Sequence, residues 1–237
     1  YVKKFYFFLS NFDWEIALKH KDAYEKLSIL ESMPSFLINK LKPYYSFEKM
    51  EKNFRAMNFQ AREGKIYFWI KNPENGKKDQ TIQLLKKKSF QIKPDTDIPE
   101  LFTIPITQKS KLVKTKYFQQ NIIMFQQKPS ISTIKTLDPQ EYQCIVDLCS
   151  APGIKTGYIL HSKLDIKHLI ANDIDRARLR SIFKFLSHNS YKTINPLQSD
   201  GLFPPFRIKT KKTTSTIDKI LIDAPCTGSG TFAMNPE

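Results

Sequence analysis

The chain has 237 residues, 41% apolar and 13% aromatic, enough for one large or two modest domains with filled cores. Its net charge of +15 favours a polyanionic partner, with nucleic acid the first candidate, although solvated lysine faces give the same balance. Three cysteines, Cys144, Cys149 and Cys226, make neither a disulfide framework nor a zinc spacing, and no run approaches the ~20 apolar residues that span a bilayer.

We therefore expect an intracellular monomer in a reducing compartment (cytoplasm, nucleus or organelle), with no metal and no membrane association. The start, Tyr1-Val-Lys-Lys-Phe-Tyr-Phe-Phe-Leu9, lacks an initiator Met and is too short for a signal sequence. It reads as the beginning of a segment from a longer protein. Residues 1 to about 60 read as mainly helical. Pro34 opens a helix in which Leu37 and Leu41 share a face, and Pro43 stops it. Residues 46–57 form another, with Phe47, Met50 and Phe54 at helical spacing.

Lys65-Ile-Tyr-Phe-Trp-Ile70 is a strand by its β-branched and aromatic content. Asn72-Pro-Glu-Asn-Gly76 is a turn. Residues 79–88 form a short helix with Ile82 and Leu85 inward, followed by extended segments at 90–92 and 101–106. This pattern suggests a small α+β module of the kind that presents aromatics to RNA; alternatively at least two of Tyr67, Phe68 and Trp69 are core. Residues 109–116 carry four lysines, a linker, a phosphate-contacting strip or a solvated loop. Residues 118–134 read as one amphipathic helix interrupted at Pro129. We place a boundary here: 1–114 is a helical and α+β region of RNA-binding type, and 115–237 is a second domain.

From residue 144 onward strands and helices alternate: 144–149, a helix after Lys155, 168–171, a helix over 175–187 with Leu179, Ile182, Phe183 and Leu186 inward, and 219–222. Such alternation implies an α/β fold with a parallel sheet. The first strand runs into Ser150-Ala-Pro-Gly153, small residues that let a ligand approach the backbone beside a helix N-terminus. Neither simple phosphate motif fits. A Walker loop needs glycine where Ile154 and Cys149 stand, and no G-x-G-x-x-G occurs. Asp173 sits about 20 residues past the glycine turn, where an acidic residue accepts from ribose hydroxyls or charges a helix N-terminus. Asp200 reaches a base edge or forms an Asx-turn. Asp223-Ala-Pro-Cys226 places a thiol, structural or reactive, in a glycine-rich loop at the same sheet edge.

Three blocks occur in one order: Asp147-Leu-Cys-Ser-Ala-Pro-Gly-Ile-Lys-Thr156, Ala171-Asn-Asp173 with Arg178-Leu179, and Asp223-Ala-Pro-Cys-Thr-Gly-Ser-Gly230 with Asn235-Pro-Glu237. Together they resemble the RNA cytosine-(carbon-5) methyltransferases of the Fmu/Nop/Sun type. Phe125-Gln-Gln-Lys-Pro-Ser130 and Leu137-Asp-Pro139 resemble that family's entry to its catalytic domain. Pro34-Ser-Phe-Leu37 and residues 66–85 resemble its N-terminal RNA-recognition region.

The resemblance implies a Rossmann-like class I methyltransferase sheet, here incomplete, with S-adenosylmethionine as donor and tRNA or rRNA as partner. It puts Cys149, Ser150, Ala151, Pro152, Gly153, Ile154 and Lys155 around the methionine and ribose portions. Lys155 pairs with the donor's carboxylate, Asp173 with the ribose, and Asp200 with the adenine side. Arg178 belongs to the same pocket, and Asp223 lies beside donor and base. It also implies two thiols: Cys226 assists product release, and the attacking cysteine belongs to a later Thr-Cys-Ser-type motif. That motif does not occur in these 237 residues, so the full-length protein is expected to be the enzyme and this segment alone to lack turnover.

Three positions depart from the pattern. Ile154 stands where a small residue is usual, Ala233-Met234 stand where basic residues are common, and Thr227 replaces Ser. The competing expectation is a catalytically idle RNA-binding or assembly protein that keeps the fold.

Overall fold

The computed structural model describes residues 12–71, 77–161, 165–185, 193–206 and 216–226. The described residues 12–64 form one compact unit and residues from 65 to 226 another. The turn expected at 72–76, Leu186, and Thr227 to Glu237 with its sequence departures lie outside the described residues.

The first unit is helical: α1 (Trp14–Leu18), α2 (Ala23–Leu30), α3 (Ser35–Leu41) and α4 (Phe47–Glu63). Each start has a local cause. Asp13 and Ser46 cap α1 and α4 by accepting from backbone amides, and Asp22 and Glu25 form a reciprocal capping box on α2. Pro34 precedes α3, as expected. Ile38, rather than Leu37 or Leu41, is the fully buried residue of α3, and it packs with Leu27, Met33, Met50 and Phe54. Asn58 ties α4 to the end of α2, donating to the Glu31 carbonyl at 2.9 Å and to its carboxylate at 2.7 Å.

The second unit opens with a four-stranded antiparallel sheet built from β1 (Lys65–Ile70), β2 (Lys93–Pro94), β3 (Leu101–Pro105) and β4 (Ile123–Phe125), in the order β2-β3-β1-β4. Its helices are α5 (Lys77–Lys87), α6 (Lys109–Val113) and α7 (Lys116–Gln119). Phe68 and Trp69 are core and Tyr67 is half-buried, the structural of the two alternatives for this strand. Three local expectations are corrected here. Residues 118–134 do not form one helix: α7 ends at Gln119, β4 follows, and α8 (Lys128–Leu137) begins afterwards. The apolar run Ile122 to Phe125 has no helical or strand signature of its own, because short apolar runs suit either. The free edge of β1 captures it, pairing Phe68 with Phe125 and Ile70 with Ile123. Asn121 makes the break at φ +54, a conformation asparagine tolerates. Residues 90–92 are not a strand; Phe90 and Ile92 are buried side chains, and the ladder to β3 begins at Lys93. Residues 109–116 are helical rather than a loop.

The remainder is a parallel sheet of β5 (Cys144–Asp147), β6 (His168–Asp173), β7 (Ile194–Gln198) and β8 (Lys219–Leu221), ordered β7-β6-β5-β8. α9 (Ile154–His161) follows β5, and α10 (Arg176–Ser181) follows β6. α10 turns into a 3-10 segment at Ile182, so the helix expected over 175–187 is α-helical only to Ser181. This is the Rossmann-like parallel sheet that the alternation implied. β6 and β7 lie on one side of β5 and β8 on the other, so the strand order switches beside β5, where α/β sheets bind ligands.

The two sheets share a core. Trp69, Leu101 and Met124 pack with Ile131, Ile134, Ile145, Tyr158 and Ile159. Each such aliphatic side chain contributes about 1.5–3 kcal/mol by burial. The Trp69 indole donates to Gln126 at 2.8 Å and meets the Tyr158 ring edge-on at 5.2 Å. Among the described residues no helix is long and apolar enough to cross a membrane, and no cluster of His, Cys, Asp and Glu is arranged to hold a metal.

Candidate active site

All four parallel strands end at one cavity of about 540 Å³. Each strand delivers a different chemistry to its wall. Leu148, Cys149 and Ala151 follow β5; Asp173, Ile174 and Arg178 come from β6 and α10. Asp200 to Leu202 follow β7, and Ile222 to Cys226 follow β8. The walls are mainly apolar, with three carboxylates, one guanidinium and two thiols, the composition of a small-molecule site.

The turn after β5 is shaped by Gly153. Its φ is +102, and a Cβ there would lie 2.9 Å from the Ile182 Cα, so the left-handed conformation and the approach of the 3-10 segment both require glycine. Asp173, 5% exposed, holds this turn from below. One carboxylate oxygen accepts from the Ala151 amide at 3.2 Å and the other from the Asp175 amide at 3.0 Å. Asp175 is the cap of α10, accepting from Ala177 and Arg178. The helix terminus therefore has its own acid, which leaves Asp173 facing the cavity. Arg178 donates to the Ala151 carbonyl at 2.9 Å.

Asp200 forms the Asx-turn, accepting from the Leu202 amide at 2.9 Å, and also lines the cavity, so both roles considered for it are structurally compatible. Lys155 and Asp223 form an ion pair between the first turn of α9 and the loop after β8. The cavity wall brings together Cys149, Ala151, Asp173, Arg178, Asp200, Asp223 and Cys226 of the expected residues. Ser150, Pro152, Gly153, Ile154 and Lys155 stand behind it. Ser150 is buried, with its hydroxyl on the Asn172 carbonyl, and the Pro152 carbonyl accepts from Ser181.

The thiols differ in environment. Cys226 is exposed. Burial pushes the Cys149 thiol up, and the carboxylates of Asp147, Asp173 and Asp223 add to this, so Cys149 is held protonated. Burial, followed by Asp218, does the same to Cys144.

Two polar residues lie within the motif blocks without a role assigned to them there. Asn172, fully buried, donates to the carbonyls of Leu148 at 2.9 Å and Ser199 at 3.1 Å and accepts from the Ser199 hydroxyl at 2.6 Å. It joins the end of β6 to the loops after β5 and β7. Asp147 is buried at the end of β5, one oxygen accepting from Thr156 at 2.7 Å; the other has no well-placed donor among the described residues. Burial raises its pKa to about 6. A polar residue inside an apolar strand run is the available sequence signal for both.

Residues 134–237 match the family model described as 16S rRNA methyltransferase RsmB/F. The chain is similar to the ribosomal RNA small subunit methyltransferase B of Pectobacterium atrosepticum, 25% identical over 209 residues that make up 86% of this chain and 44% of the relative. It thus spans under half the length of that curated relative. The crystal structure of PH0851 superposes with a TM-score of 0.72 at 26% identity, covering 92% of this chain and 47% of that one. The structure of NSun6 from Pyrococcus horikoshii with SFG matches at a TM-score of 0.64 and 18% identity, over 84% of this chain and 72% of that one.

Proposed function

We propose that residues 134–237, which match the 16S rRNA methyltransferase RsmB/F model, form a methyltransferase domain of the Fmu/Nop/Sun type, and that the protein methylates carbon 5 of cytosine in ribosomal or transfer RNA with S-adenosylmethionine as donor. The observation that carries the reading is the cavity at the strand ends, walled by Asp173, Asp200, Asp223 and Cys226. Its size suits a nucleoside joined to an amino acid. Its apolar walls and carboxylates suit a cationic sulfonium.

S-adenosylmethionine supplies a sulfonium-activated methyl group when bound. Asp173 would offer acceptors to the ribose hydroxyls and Asp200 to the adenine side, while Arg178 holds the Ala151 carbonyl and so fixes the turn that would support the donor. Lys155, paired with Asp223 in this structure, would hold the donor's carboxylate. Cytosine carbon 5 is a weak nucleophile until a thiolate adds at carbon 6 and makes it enamine-like. In this reading Asp223 orients the base and Cys226 assists product release. The attacking thiol is that of a Thr-Cys-Ser-type motif. Cys149, held protonated, serves as pocket wall. The α+β module over residues 65–114 presents the RNA to the domain that follows.

Calorimetric titration with S-adenosylmethionine tests the site. Asp173→Ala is expected to weaken binding by about 1–3 kcal/mol, the value of hydrogen bonds to a charged acceptor. Unchanged affinity would assign Asp173 to the loop alone. Methylated-nucleoside analysis after incubation of the full-length protein with rRNA, tRNA and DNA tests the substrate class.

A further inference from the structure

The lysines expected as a linker or phosphate strip belong to a larger assembly. α5 ends in Lys86 and Lys87, followed by Lys88, and all three are exposed. α6 carries Lys109 and Lys111, with Lys114 at its C-cap, again all exposed. The fold fastens these two groups together. Lys111 donates to the Lys88 carbonyl at 2.7 Å, and its ammonium sits 4.8 Å from the centre of the Phe90 ring. Gln108 donates to the Ser89 carbonyl at 3.3 Å and accepts from the Gln91 amide at 2.9 Å.

Lysines at a helix C-terminus are ordinarily explained by the helix dipole, and that accounts for Lys86 and Lys87. It does not account for bringing a second lysine group against them. Like charges held side by side repel, and the usual remedy is an interleaved carboxylate. Here there is none: no Asp or Glu occurs in residues 80–94 or 101–137. Among the described residues none of these six lysines has a carboxylate partner, whereas Lys128 and Lys135, nearby in sequence, are paired with Asp95, Asp97 and Glu100.

We propose that the paired ends of α5 and α6 form a docking surface for the phosphate backbone of RNA, independent of its sequence. The proposal rests on the RNA reading above and adds where the substrate is held outside the cavity. A phosphodiester backbone, with regularly spaced single charges, suits ammonium groups that act as point charges rather than bidentate forks.

The test is binding of a mixed-sequence RNA hairpin to the full-length protein across a salt series. Three proteins are compared: wild type, the triple variant Lys86→Gln, Lys87→Gln, Lys88→Gln, and a control in which Lys19, Lys40 and Lys52 of the helical unit are changed to Gln. The control matches the change in net charge. The patch variant is expected to bind more weakly, and its slope of log K against log salt to fall by about 0.7–0.9 for each phosphate that the lysines no longer neutralise. The control should keep the wild-type slope, and thermal melting should show all three folded. Equal weakening in patch and control variants would overturn the proposal in favour of diffuse net charge, and unaltered binding by the patch variant would also overturn it. In either case calorimetric binding of S-adenosylmethionine reports separately on the methyltransferase reading. Failure of wild type to bind the hairpin would sink both the patch and the RNA reading. Vesicles of equimolar phosphatidylcholine and phosphatidylserine are run in parallel; binding to them with the same lysine dependence would reassign the surface to anionic membranes.

Discussion

Asn172→Ala is expected to damage the proposed donor site although Asn172 does not line the cavity. The side chain is fully buried and makes three hydrogen bonds: from its amide to the Leu148 and Ser199 carbonyls, and to its oxygen from the Ser199 hydroxyl. At a net value of about 1 kcal/mol each, removing them costs about 3 kcal/mol of stability. The loops freed are those that carry Cys149, Asp173 and Asp200, so donor affinity should fall with stability. Asn172→Asp sharpens the argument. It preserves shape but removes both donors, faces two carbonyls with a carboxylate, and buries a charge beside Asp173, so it should be more damaging than alanine. Urea unfolding gives the stability change and calorimetry the affinity for S-adenosylmethionine. If Asn172→Asp remained within about 0.5 kcal/mol of wild type, packing alone would explain the residue and its hydrogen-bonding role would be refuted.

Asp147 gives a pH prediction. Its folded pKa, about 6, lies above the ordinary carboxylate value of 3.8 because burial opposes ionisation, so its contribution to stability is fully present below pH 3.8 and is lost as pH rises through about 6. The loss amounts to about 3 kcal/mol; Asp147→Asn should flatten the pH profile across that window and raise stability at neutral pH, and an unchanged profile in urea titrations would refute this. Gly153→Ala should cost about 2–5 kcal/mol, combining a left-handed backbone with overpacking against Ile182; a loss below about 0.5 kcal/mol would show that the segment shifts freely. Iodoacetamide at neutral pH should modify exposed Cys226 well before Cys149, whose thiol is pushed up by burial and nearby carboxylates. Peptide mass mapping reads the order, and equal rates would count against Cys149 as an unreactive wall.

Much of the α/β half is legible in the sequence because its signals are local. An apolar strand, small residues and a helix start lie within a dozen positions around Gly153, and the same grammar recurs at Asp173 and Asp223. The helix expected over 118–134 fails for the opposite reason. Nothing within Ile122 to Phe125 distinguishes strand from helix until β1 offers an unpaired edge. Ile38 at the centre of the helical core and Ile182 against Gly153 are likewise invisible in their roles, since each is defined by what packs against it.

By itself the sequence determined the order of the strands and helices around the site, the acids at the strand ends and the basic balance of the chain. These follow from residue type and short spacing, which act within a turn or two of backbone. Only the tertiary structure decided which strand ends meet. The order β7-β6-β5-β8 brings residues from Leu148 to Cys226 around one cavity, pairs Lys155 with Asp223, and leaves Asn172 as the buried group that satisfies two neighbouring loops. The physical reason is range. Propensity and capping are set by neighbours in the chain, whereas a shared cavity, an ion pair and a satisfied buried amide arise only when distant segments exclude water together.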